Sequence, residues 1–361
     1  MRRLWAALAG VLSALLWGCL PSPEPVTVPG PERDDLAAQL DGVILMDRPV
    51  GGMTAIRAAD GVQSEVRPQS RTKGTVHSIG GPDREGRIAF VANHMTEERH
   101  ELRVVGGRGS GERVLFSRPG DALWPQYHAM GAYLALAPTG GLVAFISHTR
   151  DAQMYHPQVL LTEGRLELWN TVRPFGQLRG TWALDARMSW FPDGVRLAYA
   201  ALVPHPEAGA LPLEDDSFGA QWARWPRVPF TYVLNTSTGR SDPIHVGTDP
   251  IVSSDGAAIL VSDGDGRHRL VDMASRKSDP ATLPGFWGEA FALVKGTFAL
   301  YVAYPTEGLG GGYTESNSPL VGPKQMLSIK VADVETGRFQ TVVRSVDPRR
   351  CLSYGAARSL P

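Results

Sequence analysis

Met188–Ala201 reads MSWFPDGVRLAYAA: a short alternating run, a Pro-Asp-Gly corner, and a second alternating run. This is the pattern of a β-hairpin. Pro192 presets the backbone entering the corner, Asp193 can bond its own backbone, and Gly194 tolerates the positive φ that the corner demands. The pattern returns at Glu85-Gly86 in GGPDREGRIAFVAN, Thr139-Gly140 in LALAPTGGLVAFIS and Asp255-Gly256 in PIVSSDGAAILVSD, and more weakly at Gly296. The corners recur every ~40 to 60 residues, at or above the period of a propeller blade. A second hairpin, strand, polar turn, strand, is visible in His100–Ser117, Val233–Ile244, Leu270–Ala281 and Ile329–Val343.

Two hairpins per repeat make a four-stranded sheet that cannot bury both faces alone and must pack on its neighbours. With residues 42–67 as a degenerate first blade, the expected fold is an all-β propeller of about six four-stranded blades. Pro192-Asp193-Gly194 in full, Asp255-Gly256 and Gly140 in part, and Asp333 with Thr336-Gly337 at the later turn resemble the TolB-like, PD40 relative of the WD40 repeat. The resemblance spans most of Gly42–Val343 and implies the ring, while leaving the function open. Ring closure needs a strand beside the first blade. Part of Cys351–Arg358 either returns to supply it or frays as a tail, and in the first case Cys351 becomes a small buried apolar residue.

A chain of 361 residues with 43% hydrophobic content can bury a large core. Lys+Arg 36 against Asp+Glu 37 leaves no basic tract to follow a phosphate backbone, which argues against nucleic acid as a partner. Glycine and proline sit at intervals between strand-like runs, as turn punctuation. Two distant cysteines, Cys19 and Cys351, offer no disulfide framework. Arg2-Arg3, the apolar run Leu4–Leu16 and Gly18-Cys19 resemble a bacterial lipoprotein signal, which implies lipidation at Cys19. Acyl chains there would hold the chain to a membrane at about 0.8 kcal/mol per buried methylene. Leu20 in place of Asp implies, by the same resemblance, the outer membrane of the cell envelope. The residues alone also admit an ordinary secretory signal cut nearby, or an uncleaved anchor. Three regions follow: a signal over 1–19, a Pro-rich tether over 20–40 with one helical turn near Asp34–Leu40, and a propeller over 41–361.

Three connections are enlarged: His148–Pro157, Pro204–Pro229, which carries Trp222 and Trp225, and Pro305–Lys324. Each joins the second strand of a blade to the third, so all three rise from one rim. Loops this long either bind something or are surface insertions. Trp124, Trp182 and Phe286-Trp287 occupy similar places in the chain leading into blades, where an aromatic either stacks on a ligand at the channel mouth or wedges blades apart. Gln126, His128, Asp185, Arg187, Asp249 and Glu289 are the polar candidates for the floor of that mouth.

The usual zinc spacings are missing, and Asp263-Gly264-Asp265-Gly266 lacks the later acidic ligand of a calcium loop. Gly106–Glu112 lacks the Lys-Ser/Thr ending of a phosphate loop, and no Gly-x-Ser-x-Gly elbow occurs. Arg338-Phe339 follows Thr336-Gly337 where quinone-dependent propellers carry tryptophan, so no cofactor is expected. The expected role is a lipid-anchored scaffold of the cell envelope that binds a protein or glycan through one loop-rich face. The alternative is a lyase- or lactonase-like enzyme with His128, Asp185, Asp249 and Glu289 converging in the funnel.

Overall fold

The computed structural model describes residues 35–47, 52–66, 75–94, 99–107, 109–119, 133–147, 153–155, 160–171, 182–184, 186–204, 227–262, 267–283, 289–303, 327–346 and 352–355. They form six antiparallel sheets in a closed ring. Blade I joins β1 (Val43–Asp47), β2 (Met53–Arg57) and β3 (Gln63–Val66) to β25 (Leu352–Gly355) from the far end of the fold. Blade II is β4 (Thr75–Gly80), β5 (Ile88–His94), β6 (Arg99–Val105) and β7 (Arg113–Pro119). Blade III has β8 (Leu134–Leu136), β9 (Leu142–Ser147), β11 (Leu160–Asn170) and β12 (Trp182–Leu184), with the short β10 (Gln153–Tyr155) also on β11.

Blade IV is β13 (Ser189–Trp190), β14 (Arg196–Pro204), β15 (Arg227–Asn235) and β16 (Arg240–Val246). Blade V is β17 (Thr248–Val252), β18 (Ala258–Ser262), β19 (His268–Asp272) and β20 (Ser278–Ala281). Blade VI is β21 (Glu289–Val294), β22 (Phe298–Ala303), β23 (Leu327–Asp333) and β24 (Phe339–Val346). The strands β25, β4, β8, β13, β17 and β21 contact one another in turn and line the central channel.

Among the described residues, apolar clusters fill each of the six seams between blades. In blade II, Ile88, Phe90 and Ala92 face blade I, packing with Val43, Leu45 and Met53, while the alternate residues Ala89 and Val91 pack against Leu134 and Phe145 of blade III. Both faces of the sheet are therefore buried, which the strand period of two converts into one apolar set per neighbour. Helix α1 (Asp35–Ala38) seals the seam between blades VI and I: Leu36 and Leu40 join the cluster of Ile44, Phe291 and Val331, and the Ala37 amide donates to Gln340 Oε1 at 2.8 Å. The outermost strands β16 and β20 carry Pro243 and Pro280, which cannot donate to an added strand.

Corner glycines Gly86, Gly140, Gly194, Gly256 and Gly296 have φ of 78°, 68°, 68°, 76° and 80°. In each corner that has an aspartate, the carboxylate organises the turn. Asp193 accepts from the amides of Val195 and Arg196 and from Arg196 Nε at 2.8, 3.0 and 2.7 Å. Partial burial works against its charge, but these donors hold Asp193 below the ordinary carboxylate range. Successive corners touch round one end of the ring: the Arg84 amide donates to Pro138 O, and the Ser254 amide to Leu293 O. Arg84 Nη2 reaches further, to Pro192 O at 2.9 Å, two blades on.

The returning strand is also present: Val43 pairs with Gly355, Ile44 with Tyr354, Leu45 with Ser353 and Met46 with Leu352. It is the innermost strand of blade I, so the ring closes between the two ends of the fold. Cys351, the signal and residues 20–34 of the tether lie outside the described residues, as does Asp263–Gly266 between β18 and β19, whereas residues 35–40 are described as α1 and the turn after it. Gly106–Glu112 is a hairpin tip, with the Gly106 amide donating to Ser110 O at 2.9 Å.

Alkaline pH should weaken this core. Burial alone pushes the hydroxyl of Tyr301, which has no exposed surface, far above the ordinary phenol range. Tyr354 is raised by burial first and by the charge of Asp41 second. The unfolded chain ionises near pH ~10 and the folded one does not, so stability present below that pH is lost above it, at about 1.4 kcal/mol per unit per tyrosine. Melts between pH 9 and 11 should show the decline, and Tyr301→Phe should shallow it. An identical slope in the variant would remove Tyr301 from the explanation.

Candidate functional site

Because each blade is an antiparallel meander, its connections alternate between ends. The corners occupy one end. The three enlarged connections run from β9 to β11, from β14 to β15 and from β22 to β23, each between second and third strands, and so leave from the other. The chain enters the fold at the corner end, where β1 begins.

At the loop end the innermost strands of blades III, IV and V open on residues that meet. The Arg187 guanidinium lies over the Tyr133 ring, with Cζ 5.2 Å from the centroid. The Arg187 amide donates to Asp249 Oδ1 at 2.9 Å, and the Thr248 hydroxyl donates to Asp249 Oδ2 at 2.8 Å. Asp249 holds a left-handed backbone, φ 49°, which these bonds help to fix. The Val252 amide donates to Ser189 Oγ at 3.0 Å and ties β17 to β13 just below. Glu289 opens β21 and pairs with Val302. Tyr133, Arg187, Asp249 and Glu289 each stand seven residues before a corner glycine, Gly140, Gly194, Gly256 and Gly296, and the equivalent in blade II is the buried Ile79.

This mouth differs from the expected one in two ways. Trp182 is not on it: it opens β12, on the far edge of β11 from β9, since Arg165 pairs with both Ser147 and Trp182. The ring is 48% exposed with Arg165 Cζ 5.8 Å from its centroid, because blade III fills its outer strand position with 182–184. The chain before Met188 is thus partly an outer strand and only then the approach to blade IV. Asp249 is the second difference. Both its carboxylate oxygens serve blade backbone and a neighbouring hydroxyl, an arrangement that holds blades IV and V together. Trp124, Gln126, His128, Asp185, Trp222, Trp225, Phe286 and Trp287 lie outside the described residues. Among the described residues no group of three His, Cys, Asp or Glu is placed to hold a metal ion. Tyr133 and Thr248 were missed; the seven-residue offset would have found the first.

Below the rim, Arg227 Nη1 and Nη2 pair with Glu163 at 2.6 and 3.0 Å, and Nη2 also donates to Leu202 O at 3.0 Å. Arg227 is the first residue of β15, immediately after the longest connection, so this bidentate pair fixes one foot of that loop against blade III.

No family model matches the chain, and no curated protein matches its sequence. Among solved structures, a chain of the nidogen/laminin complex aligns at 9% identity, covering 87% of this chain and 97% of that one, with a TM-score of 0.50. A protein assigned as TolB from Agrobacterium tumefaciens aligns at 12% identity over 87% and 96%, with a TM-score of 0.47. An oligogalacturonate lyase in complex with manganese aligns at 14% over 81% and 72%, with a TM-score of 0.45. At 9% identity the likeness to the nidogen/laminin chain is one of fold, and the six-bladed ring is the one that the repeated corners implied.

Proposed function

We propose that this chain is a cell-envelope protein, anchored through lipid on Cys19, that binds a protein or glycan with its loop-bearing face. The observation that carries the reading is the segregation of connections: three long ones on one end of the ring, tight corners and the incoming chain on the other. Compact corners touching one another leave little for a partner to grip, whereas the other end carries the starts of the long connections and an inner mouth of Tyr133, Arg187 and Asp249 with aromatic and charged groups. With the anchor upstream of α1, the loop-bearing face is turned away from the bilayer. Among the described residues no helix is long and apolar enough to cross a membrane.

Capture from envelope extract tests the binding role. The full chain should retain a partner that a chain with Gly209–Trp225 replaced by a short Gly-Ser link loses by at least about tenfold, the effect of removing ~1.4 kcal/mol of contact. Equal recovery by both would take the longest loop out of the interface. Separately, Cys19→Ser should move the chain from the membrane fraction to the soluble one.

A further inference from the structure

The seam between blades IV and V carries, near its outer rim, a line of four groups. His245, near the end of β16 and 5% exposed, places Nδ1 2.7 Å from Val246 O. A carbonyl only accepts, so in the neutral ring Nδ1 holds the proton and Nε2 presents a lone pair. Nε2 lies 3.1 Å from Ser278 Oγ, the first residue of β20, so the serine hydroxyl donates to it. On its other side the same oxygen accepts from Arg269 Nε at 3.0 Å, while Arg269 Nη2 donates to Ser278 O at 2.9 Å. The base and the cation are buried, and Ser278 itself is partly exposed.

These directions are those of an activated hydroxyl. The proton already points along the line to an imidazole whose tautomer a third group fixes, and a guanidinium N–H stands ready for the negative charge that grows on oxygen as that proton leaves. Contrast Ser241, which sits at the seam of blades III and IV and takes its bond from the hydroxyl of Tyr199 at 3.1 Å, with no base in the pair. Blades diverge from the axis, so a seam is widest at its rim. Ser278 is the member of the line with exposed surface, so a small ester would meet it from the rim and not from the channel.

We propose that Ser278 is a nucleophile that takes acyl groups from small activated esters, with His245 as general base and Arg269 stabilising the alkoxide. In the step, Ser278 Oγ bonds to the ester carbonyl carbon as its proton passes to His245 Nε2. The bond to the leaving oxygen then breaks as that oxygen takes the proton from His245, leaving an ester on Ser278 and a free alcohol. Water, deprotonated by the same imidazole, returns the serine and releases the acid.

The test uses the full purified chain and a biotinylated fluorophosphonate, from which serine displaces fluoride with loss of one proton. The expected result is one modified site, mapped by mass spectrometry to the peptide carrying Ser278, absent in Ser278→Ala. His245→Gln should slow labelling by about 100-fold or more, the usual worth of a positioned base. Melting curves decide whether each variant is folded. If His245→Gln fails to fold, the unmodified chain still decides, by whether Ser278 labels faster than Ser241. Equal labelling of the two serines, or equal rates with and without His245, would overturn the assignment.

Discussion

A chain ending at Val346 is expected to lose cooperative folding. That truncation removes β25, the innermost strand of blade I, and with it four residue pairs to Val43, Ile44, Leu45 and Met46. It also removes the Ser353 hydroxyl, which donates to Gly81 O at 2.7 Å and binds blade I to blade II. Leu352 and Tyr354 pack on the same cluster that α1 covers, and losing them forfeits about 1–2 kcal/mol each in apolar burial. Each backbone pair lost from a buried edge adds on the order of 1 kcal/mol. The total, on the order of 5 kcal/mol or more, is comparable with the whole net stability of an ordinary domain, about 5–15 kcal/mol. A gentler version is Gly355→Val. Any Cβ on Gly355 overlaps the carbonyl oxygen of Pro82, a backbone atom that cannot swing aside, so this variant should cost about 1–3 kcal/mol. Urea unfolding monitored by tryptophan fluorescence reads both. A truncated chain with the midpoint of the full one would mean that the ring does not depend on its returning strand.

The corners that make this closure possible were legible because they are constrained locally. A positive φ at Gly194 and a carboxylate that bonds its own turn at Asp193 are demands of a few residues, and they leave the Pro-Asp-Gly signature wherever the turn recurs. The ring followed from repetition, and the need for a closing strand followed from the ring. Whether 352–355 met that need was not legible, since LSYG carries no turn signature and only one apolar and one amphipathic side chain. Trp182 was misplaced because its distance ahead of the corner at Gly194 resembled a blade approach, whereas 182–184 are the outer strand of blade III. At the mouth, residue type alone selected Arg187 and Asp249 but said nothing of their joining, which depends on the left-handed turn at Asp249. The polar groups within seams were the least legible. His245, Ser278 and Arg269 come from three strands of two blades, and alternating polar residues in a strand read as a solvated face.

Arg103 shows how costly that misreading can be. In β6 the sequence Arg99-His100-Glu101-Leu102-Arg103 alternates charges with other residues, as a strand with one face in water does. The charged set instead faces blade I. Arg103 bonds Glu101 Oε2 through Nε at 2.8 Å and pairs with Glu112 through Nη1, while Arg99 Nη2 lies 3.2 Å from Glu101 Oε1. Side-chain exposures are 10% for Arg103, 5% for Glu101 and 6% for Glu112. Burial works against the guanidinium's charge, but the hydrogen bonds and charges of the two carboxylates outweigh it and raise the Arg103 pKa, so the cation persists at any working pH. Arg103→Met keeps much of the volume and strips the bridge from two buried carboxylates, and should cost about 3–5 kcal/mol. Most of that is the penalty of stranded charge, not the worth of the pair. Glu112→Gln on top of Arg103→Met should therefore restore part of the loss, although Glu112→Gln alone destabilises. Because the group is out of solvent, raising salt to about 0.5 M should leave the deficit nearly unchanged, where an exposed pair would be screened. Additive losses in the double variant, or a deficit that salt abolishes, would place Arg103 in water and return β6 to the one-sided strand its sequence resembles.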